Sequence, residues 1–260
     1  MVRRHDGIPF MGGAHVFPGG VVDPADHRDV DARWCDGVEH AERLLPAQTA
    51  SEAIAFHIAA IRELFEEAGI LLARDCLGGM VSLADPDAHE RFTRYRADVH
   101  ARRLTLGDIT AREALRLAAD ALVLFAHWVT PPMDVRRYDT RFFVARAPSD
   151  QVPGHDERES TDGVWITAAD ALSAAERRDL ILPPPTWCTL REMERFASVD
   201  AALGWAERRT VRRREPRVVT DEGSRLLVMP GDPSFPEPAG DAVPYETRFV
   251  WTTDRWLPCR

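Results

Sequence analysis

Lysine and asparagine are absent from this sequence. All 33 basic residues are arginine, a bias we read as genomic codon usage rather than selection for guanidinium chemistry. Against them stand 42 acidic residues, and the net charge of −9 excludes broad nucleic-acid binding, which needs a basic surface. A phosphate-bearing substrate would therefore need local arginine or metal ions to offset the general repulsion. Cysteine is scarce. Cys35, Cys76, Cys188 and Cys259 include no C-x-x-C pair and no zinc-ligand spacing, so reduced thiols and a cytoplasmic location are expected. The nine histidines include no H-E-x-x-H, which leaves a zinc hydrolase without support. No signal peptide is read, and the longest apolar run, Ala121 to Ala126, is far too short to span a membrane, so no membrane partner is expected. Internal repeats and low-complexity tracts are missing too. What remains is 260 residues with 45% hydrophobic and 29% charged content, which suits one large soluble domain or a domain with an extension.

The most informative stretch is Arg62-Glu63-Leu64-Phe65-Glu66-Glu67-Ala68-Gly69-Ile70. At about 100° per residue on a helix, Ile54, Ile58, Ile61 and Phe65 form one apolar stripe, and Glu63, Glu66 and Glu67 lie opposite. Three carboxylates on adjacent turns of a rigid element can converge on a hard divalent cation such as Mg²⁺ or Mn²⁺. Thr49-Ala50-Ser51-Glu52 supplies a capping box and Gly69 a left-handed stop, so the spacing predicts a helix over roughly 52–68. A solvated amphipathic helix shows the same two faces, and like charges at i, i+4 cost only about 0.2–0.5 kcal/mol. The helix alone therefore does not decide. The whole string does: R-E-U-x-E-E-x-G-U, with U a bulky apolar residue, preceded by Phe17-Pro18-Gly19-Gly20.

These residues resemble the box of the Nudix hydrolases, G-x5-E-x7-R-E-U-x-E-E-x-G-U. The second half is complete and the first half is split: 41 residues separate Gly20 from Arg62 where the pattern has 13, about 28 extra. Counting eight back from Arg62, the first Glu of the pattern falls on Ile54; Glu52 or Asp23 replaces that carboxylate, or nothing does. The split box, together with His127-Trp128-Val129-Thr130-Pro131 and the run from Arg136 to Val144, is similar to the acyl-coenzyme A diphosphatases of animal peroxisomes and their bacterial relatives.

The resemblance implies an α+β Nudix fold, an α/β/α sandwich around a mixed β-sheet. It places Mg²⁺ or Mn²⁺ on Glu63, Glu66 and Glu67, with Glu66 and Glu67 the strongest candidates. Arg62 would orient a carboxylate, and a further loop carboxylate would come from Glu159, with Glu157 second. The substrate would be a small molecule linked through a nucleoside diphosphate, met by Arg4, Phe17, Gly19, Gly20, Arg137 and Arg141. The implied reaction is hydrolysis of the pyrophosphate bond of CoA or acyl-CoA, giving 3′,5′-ADP and (acyl-)phosphopantetheine. A second signature of CoA-cleaving relatives, L-L-T-x-R-[SA]-x3-R-x3-G-x3-F-P-G-G, is half present. Arg4, Gly13 and the F-P-G-G match, His5 and Pro9 do not, and the leading residues would lie before Met1. Two alternatives stay open: another dinucleotide substrate such as ADP-ribose or NADH, and an inactive binding module on the same fold.

Along the chain, 1–197 reads as the Nudix domain and 198–260 as a C-terminal β extension, one reading of which is a homodimer surface. Met1 to Arg4 reads as the last residues of a strand that relatives begin earlier. Residues 23–50 read as an irregular inserted loop, leaving Gly20 beside the box helix, and 85–121 as a helical insertion or lid. Within that insertion one helix runs from Asp85-Pro86 to about Arg103, and a second, capped by Thr110, runs to about Ala121. Strands are expected at 14–17, 70–73, 122–129, 142–146, 164–166, 217–220, 225–229 and 247–252. Further helices are expected from Thr167, Pro183 and Ser198.

Overall fold

The computed structural model describes residues 1–7, 11–28, 33–46, 48–133, 137–151, 160–236, 248–252 and 255–259; Arg136, Glu157 and Glu159 lie outside them. In chain order the elements are β1 (Val2–Arg4), β2 (His15–Val16), α1 (Pro24–Arg28), β3 (Cys35–Asp36), α2 (Val38–Leu44), α3 (Ala50–Ala68) and β4 (Ala73–Arg74). Then follow α4 (Pro86–His100), α5 (Leu106–Glu113), β5 (Arg116–Ala118), a 3-10 turn (Ala119–Ala121), β6 (Val123–Val129), β7 (Asp139–Val144) and β8 (Ser160–Gly163). The last are α6 (Ala168–Glu176), α7 (Pro184–Met193), α8 (Val199–Glu207), β9 (Arg213–Arg214), β10 (Arg217–Asp221), β11 (Ser224–Val228), β12 (Arg248–Trp251) and β13 (Trp256–Pro258). The class is α+β. The chain forms two compact units: Met1–Ile8, Phe17–Val123 and Phe143–Val164 make the first, and Pro9–Val16, Leu124–Phe142 and Trp165–Arg260 the second.

In the first unit α3 carries the core. Glu52 N–H donates to the Thr49 hydroxyl, the Glu52 carboxylate accepts from Thr49 N–H at 2.9 Å, and Gly69 closes the helix at φ 71°. Ile54, Ile58, Ile61 and Phe65 are all at most 1% exposed, each burial contributing about 1.5–3 kcal/mol. His57 is buried on the same helix, its Nδ1–H donating to the Ala53 carbonyl at 2.8 Å and its ring 4.6 Å from that of Phe143. Burial pushes its pKa down to about 4, so it is a neutral core histidine.

Several local expectations are corrected in this unit. Residues 23–50 are not irregular: they hold α1, β3 and α2. Strand β3 pairs in parallel with β5, which pairs antiparallel with β4. Helix α2 is too short to show a clear period, but it packs against α3, and its Ala41 is buried. Gly37 makes the turn between β3 and α2 at φ 93°, where a Cβ would lie 2.4 Å from Asp120 N. The Leu72 carbonyl accepts from Ala118 N–H of β5 at 2.9 Å, but the apolar run Ile70–Leu72 is not a strand: at Leu71 the Gln151 amide side chain takes the place of a neighbouring strand. It accepts from Leu71 N–H at 2.8 Å and donates to the Leu71 carbonyl at 3.0 Å. The second insertion helix starts at Thr105 rather than Thr110. Thr105 and Asp108 cap it, the Thr110 hydroxyl donates to the Gly107 carbonyl, and residues beyond Ala114 leave the helix for β5. Strand β8 lies just before the expected 164–166, pairing antiparallel with β1, and Val164 N–H donates to the Met1 carbonyl as the chain leaves it.

In the second unit β6 lies between β7 and β9, with β9 parallel to it. Strand β7 begins at Asp139, three residues before the expected start, and β9 and β13 were not expected. Strands β10 to β13 form an antiparallel meander. Trp187 of α7 meets Phe249 of β12 edge to face at 5.4 Å. Buried Glu192 accepts from Arg209 and Arg214, whose charge offsets its own; the Arg209 guanidinium also lies 3.7 Å from the Trp205 ring centre. Among the described residues no helix is long and apolar enough to cross a membrane.

Candidate active site

The box carboxylates meet at Arg62. Its Nε–H donates to Asp26 Oδ1 at 2.9 Å, and Nη2 donates to Asp26 Oδ2 at 3.0 Å and to the Val21 carbonyl at 2.9 Å. Nη1 donates to Glu63 Oε1 at 2.7 Å and to Glu66 Oε1 at 3.0 Å. A guanidinium has five N–H donors, so none is left for a substrate. The Arg62 side chain is 11% exposed and that of Asp26 2%. Burial opposes the charge of Arg62, but the bonds and fields of Asp26, Glu63 and Glu66 outweigh it and raise its pKa above the ordinary value.

Asp26 is the carboxylate that counting back from Arg62 did not find. It is the sixth residue after Gly20, where the G-x5-E half of the pattern puts its Glu. The extra residues therefore follow Asp26 and include β3 and α2. Neither proposed replacement contacts Arg62 by hydrogen bond: Glu52 caps α3, and Asp23 accepts from Arg102. Counting forward from Gly20 would have located Asp26; counting back fails because the insertion separates the pattern's first Glu from its Arg.

Both glycines of the Pro18-Gly19-Gly20 turn reach the box helix. Gly19 N–H donates to Glu67 Oε2 at 3.1 Å. An ideal Cβ on Gly20 would lie 2.3 Å from Glu63 Oε1. A carboxylate end could normally swing aside, but Glu63 is tied to Arg62. Gly20→Ala is therefore expected to destabilise the protein by about 1–3 kcal/mol, the usual cost of overpacking. At Gly19 a Cβ meets nothing within 4 Å, and Gly19→Ala should melt within about 1 °C of the parent. Thermal denaturation of the two variants checks this, and equal melting temperatures would contradict it.

Helix α4 packs along α3 on the other side of Glu66. Arg96 Nε–H donates to the Glu66 main-chain carbonyl at 2.8 Å, and His100 Nδ1 lies 3.5 Å from Glu66 Oε2. Arg4 is on β1, and its buried Nε has no acceptor among the described residues. Arg137 and Arg141 belong to the second unit. There Arg137 donates to Glu215 at 2.5 Å and the Thr130 carbonyl at 3.2 Å, and Arg141 pairs with Asp139 at 2.8 Å. Among the described residues no three His, Cys, Asp or Glu converge as a ready ion cage. Glu63 and Glu66 each direct an oxygen at Arg62, and Glu67 directs one at Gly19. By donor chemistry the set still fits a hard divalent cation: three carboxylates share one face of a rigid helix beside a glycine turn.

Residues 40–193 match the family model of the NUDT19 Nudix domain. The chain is similar to an acyl-coenzyme A diphosphatase NUDT19 of Homo sapiens, 29% identical over 284 residues, covering 91% of this chain and 72% of that protein. It is similar to the protein of the same name from Xenopus laevis, 25% identical over 270 residues, covering 91% and 71%. Among solved structures, a NUDIX hydrolase from Alicyclobacillus acidocaldarius superposes with a TM-score of 0.61 at 26% identity, covering 78% of this chain and 86% of that one.

Proposed function

This chain belongs to the NUDT19 Nudix domain family, and on that premise we propose that it hydrolyses the pyrophosphate bond of CoA or acyl-CoA. The products would be 3′,5′-ADP and (acyl-)phosphopantetheine. The observation that carries the reading is the reassembled box: Gly19, Gly20 and Asp26 meet Glu67, Glu63 and Arg62 across the insertion. The names of the similar proteins, acyl-coenzyme A diphosphatases, supply the substrate class. Glu63, Glu66 and Glu67 would hold Mg²⁺ or Mn²⁺, which when bound lowers the pKa of a water and offsets charge developing on phosphoryl oxygens. Arg62, with every donor committed, positions Asp26, Glu63 and Glu66. The proposed diphosphate position is the glycine turn next to Phe17, where a Cβ on Gly19 would meet nothing within 4 Å, and Glu159 is the proposed loop carboxylate.

Arg4 is the proposed phosphate contact, supported by its buried Nε, which has no acceptor among the described residues. For Arg137 and Arg141 a substrate phosphate would have to compete with Glu215 and Asp139. Assaying CoA, acyl-CoAs, ADP-ribose and NADH with Mg²⁺ and Mn²⁺ tests the reading. A CoA compound is expected to be cleaved at least about tenfold more efficiently than ADP-ribose or NADH, roughly 1.4 kcal/mol in the barrier. Arg4→Ala should raise KM for CoA more than it lowers kcat, because the contact lies away from the breaking bond. The opposite substrate ranking would move the assignment to another dinucleotide.

A further inference from the structure

We propose that α4 and the turn after it brace the two halves of the split box against each other, with Arg96, His100 and Arg102 as positioning residues. In an unbroken box seven residues separate the first carboxylate from the Arg, and that short tether limits where the carboxylate can go. Here 35 residues lie between Asp26 and Arg62, so the chain itself holds the pair far less tightly. The insertion 86–102 makes the missing connection through side chains.

Its first attachment is to the box helix. Arg96 donates to the Glu66 carbonyl in the last turn of α3, where a helix leaves carbonyls without an internal partner. His100, one turn along α4, faces Glu66 Oε2, while Arg62 holds Oε1. The second attachment is to the other half. Arg102 reaches across to Asp23. Asp23 accepts Ala25 N–H at 2.9 Å, and its own N–H donates to Asp26 Oδ2 at 2.7 Å. The contacts thus close a ring from α3 through α4, Arg102, Asp23 and Asp26 to Arg62 and back to α3. Ala25 and Arg102 also hold the Asp23 carboxyl below its ordinary pKa. Arg102 adopts φ 56°, a left-handed conformation that disfavours a side chain. That conformation belongs to the stop of α4, where Arg102 N–H donates to the Val99 carbonyl and Arg103 N–H to the Asp98 carbonyl, and it aims the Arg102 side chain at the box loop.

Arg102→Gly separates this role from ordinary stability, because glycine suits the left-handed backbone while the tether to Asp23 is lost. In the metal-free full chain, Tm should stay level or rise. Amide exchange of peptides within residues 18–27 should quicken by about fivefold or more, with other segments unchanged. Unchanged exchange there, or faster exchange throughout with a lower Tm, overturns the brace. The kinetic arm rests on the proposed diphosphatase activity. In the active enzyme, Arg102→Gly and Arg96→Met should each lower kcat by about tenfold with KM within about twofold, and Arg96→Lys should recover part of the loss. Unchanged kcat in both variants also overturns the proposal. A chain that cleaves none of the substrates overturns the functional reading instead, and the exchange comparison still decides the brace.

Discussion

Replacing Glu66 or Glu67 by glutamine is expected to lower kcat/KM for the diphosphate substrate by about 100-fold or more, roughly 2.7 kcal/mol in the barrier. Turnover should stop when a chelator removes divalent metal. Glutamine keeps the size of glutamate and a side-chain oxygen, so the Gly19 contact to position 67 and the Arg62 contact to position 66 can persist. What goes is the negative charge, and with it the affinity for a hard cation and the compensation of phosphoryl charge. Melting temperature should therefore change much less than rate, which separates lost chemistry from lost fold. Steady-state rates over a Mg²⁺ and Mn²⁺ titration check this. A loss below about tenfold in both variants, roughly 1.4 kcal/mol, would remove these residues from the proposed ligand set.

Asp26→Ala should be the most destabilising single change near the site. It removes two of the five bonds made by Arg62 and leaves a guanidinium of 11% exposure with less countercharge. Breaking a buried pair by deleting one partner costs about 3–5 kcal/mol; Glu63, Glu66 and the Val21 carbonyl remain, so the lower end applies. For a protein of this size that lowers Tm by roughly 10 °C. Activity should fall as well, because Arg62 would lose the partner that sets its position between Glu63 and Glu66. Asp26→Asn keeps acceptor oxygen but not charge and should lie between the two, whereas Asp26→Glu, the residue of the general pattern, should recover most of the stability. Denaturant unfolding of the three variants tests the order. An Asp26→Ala protein as stable as the parent would show that Arg62 is held by Glu63 and Glu66 alone.

The box helix was legible because every signal for it is local. Thr49 and Glu52 are three residues apart, the buried Ile and Phe stripe follows the helical period, and Gly69 supplies the left-handed stop, so one window contains start, face and end. Family membership was legible for the same reason, the R-E-x-x-E-E string being contiguous. The strands read less well. Ile70–Leu72 has the composition of a strand, yet Leu71 N–H donates to the Gln151 side chain, 80 residues away. The helix α2 was missed because seven residues are too few to show a period.

By itself, then, the sequence determined that three carboxylates would share one helix face opposite a buried stripe, since spacing along a helix sets direction around it. Only the tertiary structure decided which carboxylate meets Arg62, what fills the interruption in the box, and which residues of the insertion touch it. Asp26, Arg96, His100 and Arg102 are brought to the box from elements 30 to 79 residues away along the chain from their partners. Such pairings depend on how β3 and α2 fold the interruption away and how α4 lies along α3, and no local period or motif encodes either.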